Sequence, residues 1–163
     1  MIAYSRLPAF AFCAALLLPA GIFAAGNDAK GTLSYKARSA DLKYAYLVKG
    51  PDAMTKEMIR RVILSATDIG SKIAACKTMS CTDSELTEGM SVNLEPGPRF
   101  NYWVSLNGQK VQYSGTEPVA ALVLKVQDAK RLAGTLRFDK SASGGPKVEV
   151  EFDATLVKEV SVL

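Results

Sequence analysis

The chain has 163 residues, a one-domain length, with 20 basic and 16 acidic side chains and a net charge of +4. That charge is mild and dispersed, which argues against a nucleic-acid partner, since nucleic-acid binding calls for a concentrated basic stripe. There is no histidine, so Ser-His-Asp and Cys-His nucleophile systems are excluded and the usual zinc sites lose their commonest ligand.

The first 25 residues hold a single charge, Arg6, followed by the apolar run Leu7–Leu18 and then by Pro19, Gly21, Ala24 and Ala25. A basic start, a short apolar stretch and a small-residue exit are the three parts of a secretory signal. The run is too short for a membrane span, which needs about 20 apolar residues. Residues 1–25 are therefore expected to be a signal peptide, cut after Ala24 or Ala25, and residues 26–163 a single β-rich domain. Cys13 lies inside the apolar run and leaves with it. The expected location is the periplasm or the exterior, with no stable membrane anchor after cleavage. The remainder carries 19 basic and 16 acidic residues. Its local clusters, Lys56 with Arg60 and Arg61, and Lys130 with Arg131, read as ordinary solvated charge.

Gly26 to Gly31 reads as a flexible lead-in. Leu33, Tyr35 and Ala37 alternate with Ser34, Lys36 and Arg38, which predicts a strand. Leu42 to Val48 predicts a second, closed by Gly50-Pro51-Asp52. A short helix with Asp52 as N-cap is expected before a third strand at about Arg60 to Ser65. Asp68 is placed to cap a second short helix carrying Ile69, Ile73 and Ala74, with Cys76 and Cys81 near its end. Lys77 to Gly89 reads as a polar loop. Two cysteines in an exported domain predict the disulfide Cys76–Cys81 rather than a metal or redox pair, and its short loop pins a local turn.

From Met90 onward the β signal strengthens. Met90, Val92 and Leu94 alternate, and Pro96-Gly97-Pro98 forces a break. Phe100 to Leu106 and Gln109 to Tyr113 flank Asn107-Gly108, a strong hairpin signal. A two-residue turn would set Leu106 against Gln109, Val104 against Val111 and Tyr102 against Tyr113. Three further strands lie at about Leu122–Gln127, Leu132–Phe138 and Val148–Leu156, the last two joined by a Ser/Gly turn at Ser141–Gly145. Strands with one polar and one apolar face predict a mainly β (α+β) fold, an antiparallel sandwich or small partly open barrel with one or two short helices.

No phosphate loop, nucleophile elbow or calcium loop is present. Glu149, Glu151 and Asp153 share one strand face and would suit carboxylate chemistry, but that face is the polar one, and a solvated ladder paired with Arg137 or Lys125 is expected. No catalytic residue, metal ligand or cofactor is assigned. Trp103 projects from the polar side of its hairpin beside Lys110 and Gln112. Either a helix or the Cys76–Cys81 segment covers it as a second small core, or the three form a partner contact. Tyr35, Tyr44 and Tyr46 would line the interior of a ligand carrier if they shared a face.

Gly31 to Tyr35, Leu42-Lys43-Tyr44-Ala45-Tyr46, Val62-Ile63-Leu64-Ser65 and Phe152-Asp153-Ala154 together make the chain resemble uncharacterised small, exported, β-rich bacterial proteins. The resemblance implies one exported β domain and brings no site residues. The expectation is a non-enzymatic, periplasmic protein-binding module, an immunity protein or inhibitor that neutralises a toxin or hydrolase in the cell envelope. The partner would be another envelope protein. The alternative is a periplasmic carrier of lipid or another small apolar ligand, and a third reading is a hydrolase using Glu149, Glu151 or Asp153.

Overall fold

Strand alternation governs most of the chain, and the computed structural model, described over residues 26–94, 97–108 and 112–161, carries nine strands and two short helices. The expected signal segment, residues 1–25, lies outside the described residues. The strands are β1 (Asp28–Tyr35), β2 (Arg38–Pro51), β3 (Met58–Ser65), β4 (Gly89–Leu94), β5 (Arg99–Ser105), β6 (Tyr113–Pro118), β7 (Leu122–Gln127), β8 (Arg131–Asp139) and β9 (Lys147–Glu159). The helices α1 (Gly70–Ala75) and α2 (Met79–Ser84) lie between β3 and β4.

All nine strands join one sheet in the order β6-β5-β4-β3-β2-β1-β9-β8-β7. Every neighbouring pair in that order is antiparallel. Beyond the start of β1, β2 and β9 meet directly and pair in parallel from Tyr46–Thr155 to Lys49–Glu159. The sheet curls into a half-barrel, the partly open form of the expected mainly β fold. The curl is visible in side chains from remote strands. The rings of Tyr102 on β5 and Phe138 on β8 lie 4.9 Å apart, and Tyr35 on β1 meets Tyr113 on β6 at 5.2 Å.

The apolar half of each strand fills the inside of this curl. Leu33, Leu47, Leu64, Val92, Phe100, Tyr102, Leu136 and Phe152 belong to that core. A smaller second core lies on the outer face, where Tyr46 and Val48 of β2 and Ile59 and Ile63 of β3 meet Ile69, Ile73, Met79 and Leu86. The run Val62-Ile63-Leu64 therefore reads as continuous apolar sequence because its residues bury on both faces of the sheet.

Several local expectations are corrected. Residues 26–31 are not simply a lead-in, because β1 begins at Asp28 and pairs with both β2 and β9. Ala37 is not in the strand; Lys36 and Ala37 make a tight turn, with Lys36 at φ 55°. No helix follows Asp52, whose Oδ1 instead accepts from the Met54 and Thr55 backbone N–H groups at 2.8 and 3.0 Å and closes a turn. Within Lys77–Gly89, α2 forms because Thr78 caps it, its hydroxyl accepting from the Cys81 N–H at 3.1 Å, while Met79 buries in the outer core. Asn107 and Gly108 do adopt positive φ, 57° and 66°. Their hairpin is nevertheless longer than two residues, since Val104 faces Tyr113 and Tyr102 faces Gly115. The slip relative to the expected register is two residues, so every side chain keeps its face.

Tyr46 ties α1 to the sheet. Its hydroxyl donates to Asp68 Oδ1 at 2.7 Å and accepts from the Ile69 N–H at 3.1 Å. Asp68 also accepts from the Gly70 N–H at 3.0 Å, so it organises the helix start from just outside it. Burial, with the bond to Asp68 next, pushes the Tyr46 phenol well above its ordinary value, and burial does the same to Tyr102. A raised phenol stays neutral in the folded state while the unfolded chain ionises from about pH 10 upward, so stability holds below that pH and falls above it. Tyr46→Phe strands the buried Ile69 N–H and is expected to cost about 1–2 kcal/mol, read by urea unfolding. The same variant should flatten part of the alkaline loss.

Candidate functional site

The outer face of β3, β4 and β5 continues past the helices without an apolar cover. By strand alternation it presents Arg61 of β3, Ser91 and Asn93 of β4, and Asn101, Trp103 and Ser105 of β5. Arg61 pairs directly across from Asn93, Asn93 from Asn101, and Ser91 from Trp103. The β2–β3 turn, residues 52–55, forms one wall and α2 brings Asp83 to another, enclosing a cleft of about 550 Å³. That is the size of an ordinary small-molecule or side-chain pocket, about 300–1,000 Å³.

Arg61 is the organising residue. It is only 6% exposed, so it is not the solvated charge expected from the sequence. Its Nε donates to Asn93 Oδ1 at 2.6 Å. Nη1 donates to Asp83 Oδ1 at 2.7 Å and reaches the Met79 carbonyl at 3.4 Å. Its guanidinium carbon stands 6.0 Å from the centre of the Trp103 ring, in reach of a cation–π contact. Asn93 passes the chain on, its Nδ2 donating to Asp52 Oδ2 at 3.4 Å. A single hydrogen-bonded series thus runs from the 52–55 turn through the sheet to α2.

The two carboxylates differ. Burial works to raise Asp52, but the Thr55 and Met54 N–H groups, the Thr55 hydroxyl and the Arg61 charge outweigh it and hold the carboxyl below its ordinary value. For Asp83, burial of its inner side pushes the carboxyl up, and the Arg61 charge and hydrogen bond only partly offset it. The outer side of Asp83 stays open, with 45% of the side chain exposed. Across the mouth of the cleft Met54 is 90% exposed.

The disulfide Cys76–Cys81 joins the end of α1 to α2, with Cα atoms 5.5 Å apart, and so anchors the helix that carries Asp83. Closing so short a loop contributes about 2 kcal/mol through the unfolded state. The Cys76→Ala/Cys81→Ala double variant is expected to lose about that much in denaturant unfolding while keeping its strand content by circular dichroism.

The residues singled out from the sequence separate here. Trp103 lies half-buried in the cleft wall, outside the helix-covered core. Gln112 does not join it; its Nε2 donates to the Leu106 carbonyl at 2.8 Å and its N–H to the Val104 carbonyl at 2.7 Å, fastening the hairpin loop. Lys110 lies outside the described residues. Glu149, Glu151 and Asp153 form the expected ladder. Glu149 pairs with Arg137, Glu151 with Lys125 at 2.7 Å, and Asp153 with Arg131 at 2.8 Å through Nε. Tyr35 packs against the inner core, whereas Tyr44 and Tyr46 belong to the outer one, so the three do not line a shared interior. Among the described residues no three Cys, Asp or Glu side chains converge as metal ligands.

Sequence reasoning missed Arg61, Asp83, Asn93 and Ser91. The signal for Arg61 was present. It stands between Ile59 and Ile63 on one strand face, a charge in an apolar register. Compared with family models, curated proteins and solved structures, the chain matches none. Among the described residues no helix is long and apolar enough to cross a membrane.

Proposed function

We propose that the protein is an exported, non-enzymatic protein-binding module of the periplasm or cell exterior, and that it engages an envelope protein through the Trp103 cleft. An inhibitor or immunity role, in which the module occludes a toxin or hydrolase, is the form of that function we favour. The observation that carries the reading is the composition of the cleft. A half-buried tryptophan, a buried arginine and an exposed methionine share one concave patch. These are the residue types enriched at the energetic centres of protein interfaces. Arg61 is held by Asn93, Met79 and Asp83, so the patch is preorganised and little side-chain freedom is lost on docking. The disulfide and the outer core fix the wall that faces the partner. The carrier reading gains less support, because the inside of the half-barrel is occupied by Phe100, Tyr102, Phe138 and the aliphatic core.

The test is a pull-down from envelope extract with the wild-type protein and with Trp103→Ala. A discrete protein retained by the wild type and weakened at least about tenfold by the variant, at an unchanged thermal midpoint, supports the proposal. Equal retention by both forms contradicts it, as does turnover of a substrate abolished by altering Glu149, Glu151 or Asp153.

A further inference from the structure

We propose that the Trp103 cleft receives a lysine side chain of the partner, its ammonium at Asp83 and the open serine hydroxyls, its methylene stem along the Trp103 ring. The inference rests on the reading of the protein as a recognition module and names what enters the site.

The first argument is charge. Among the described residues the ionisable groups lining the cleft are Asp52, Asp83 and Arg61, a local balance of −1 in a chain whose net charge is +4. Arg61 does not make it an anion site. Its Nε and Nη1 are engaged by Asn93, Asp83 and the Met79 carbonyl, and it is 6% exposed. An incoming carboxylate would meet two carboxylates against one neutralised cation. Asp52 is also occupied, by Met54, Thr55 and Asn93. Asp83 differs, because Oδ1 takes Arg61 while Oδ2 has no hydrogen-bond partner among the described residues.

The second argument is the floor. Ser91 and Ser105 are 3% and 4% exposed, line the cleft, and have no side-chain hydrogen bond among the described residues. Among the described residues no fully enclosed side-chain oxygen lacks a partner, so both hydroxyls keep solvent access, and the space they line is the cleft. An ammonium brings three N–H donors and no acceptor. A free carboxylate oxygen and two hydroxyls line the same cleft and offer it acceptors. The third argument is the wall: an aliphatic stem with a cationic tip suits a half-buried indole face better than a fully polar ligand does.

Trp103 is the one tryptophan of the chain, so its emission reports on this cleft alone. The purified protein is titrated with N-acetyl-lysine methylamide, and in parallel with the norleucine analogue, which keeps the four-carbon stem but removes the charge, and the glutamate analogue, which shortens the stem and reverses the charge. The expected result is a saturable emission change with the lysine probe, binding at least about tenfold tighter than either analogue. Asp83→Asn should weaken the lysine probe about tenfold, and Ser91→Ala, which leaves the Arg61 pair intact, about threefold. Equal or tighter binding of norleucine or glutamate, no saturable response to the lysine probe up to about 50 mM, or a response indifferent to both substitutions overturns the inference. If the lysine probe fails while a protein is still captured in a Trp103-dependent way, only the lysine assignment falls. If that capture fails too, the proposed function falls with it.

Discussion

Replacing Tyr102 by alanine is expected to lower stability by about 3–5 kcal/mol, the cost of emptying a large aromatic site in a packed core. Tyr102 is 1% exposed and touches both arms of the curl. Its ring stands 4.9 Å from Phe138 on β8, 6.1 Å from Tyr113 on β6 and 6.5 Å from Phe100 on its own strand. On the adjacent β6 strand, Gly115 leaves the room this ring needs, since a Cβ there would lie 2.6 Å from the Tyr102 hydroxyl. Removing the ring thus opens a void where sequence-remote strands meet. A fall of at least about 10 °C in thermal midpoint is expected. Tyr102→Phe keeps the ring and should lose less than half as much. Equal losses for the two variants would show that the hydroxyl, rather than the aromatic packing, holds the arms together.

The second large effect is at Arg61. Arg61→Met keeps much of the apolar stem but removes the charge. Breaking a buried ion pair typically costs about 3–5 kcal/mol; here the half-open Asp83 can return to water, which brings the expectation down to about 2–3 kcal/mol. What remains is the loss at Asn93, 1% exposed, whose Oδ1 loses its donor, and at the Met79 carbonyl. Asp83→Asn leaves an acceptor for Nη1 and should cost only about 1 kcal/mol. The order of the two losses is the test, read by chemical denaturation at neutral pH. A larger loss for Asp83→Asn would mean that Arg61 is not the hub of the series. Emission from Trp103 should also shift in Arg61→Met, because the guanidinium no longer stands over the ring.

Much of this fold was legible from period-two alternation. Residues 122–127, 132–138 and 148–156 occupy strands close to their expected bounds, since alternation is a local signal and each strand has one buried face. Alternation left a sandwich and a partly open barrel both possible, and the parallel β2–β9 seam was not legible. The seam joins residues about a hundred positions apart, and no local pattern marks where β1 gives out and β2 meets β9. Asn107-Gly108 carried correct turn chemistry but an incorrect loop length. Tyr113 pairs opposite Val104, where its ring reaches Tyr35 and Tyr102, contacts that no turn dipeptide encodes. The site was half legible. The polar face of β4 and β5 and the projection of Trp103 followed from alternation, and Arg61 between two isoleucines was a readable anomaly. Asp83 was not readable. It sits in Met-Ser-Cys-Thr-Asp-Ser, a polar stretch that becomes helical only through the Thr78 cap, the disulfide and the burial of Met79.

Placing recognition at this cleft is most directly tested by site-specific photo-crosslinking in the native cells. p-Benzoylphenylalanine is introduced at Met54, on the rim of the cleft, or at Val123 on β7, which is also exposed and is not among the residues lining the cleft. A discrete protein adduct from position 54, absent from position 123 and lost when Trp103→Ala is added, is the predicted result. Adducts of equal yield from both positions, or an adduct at 54 that persists without the indole, would contradict it.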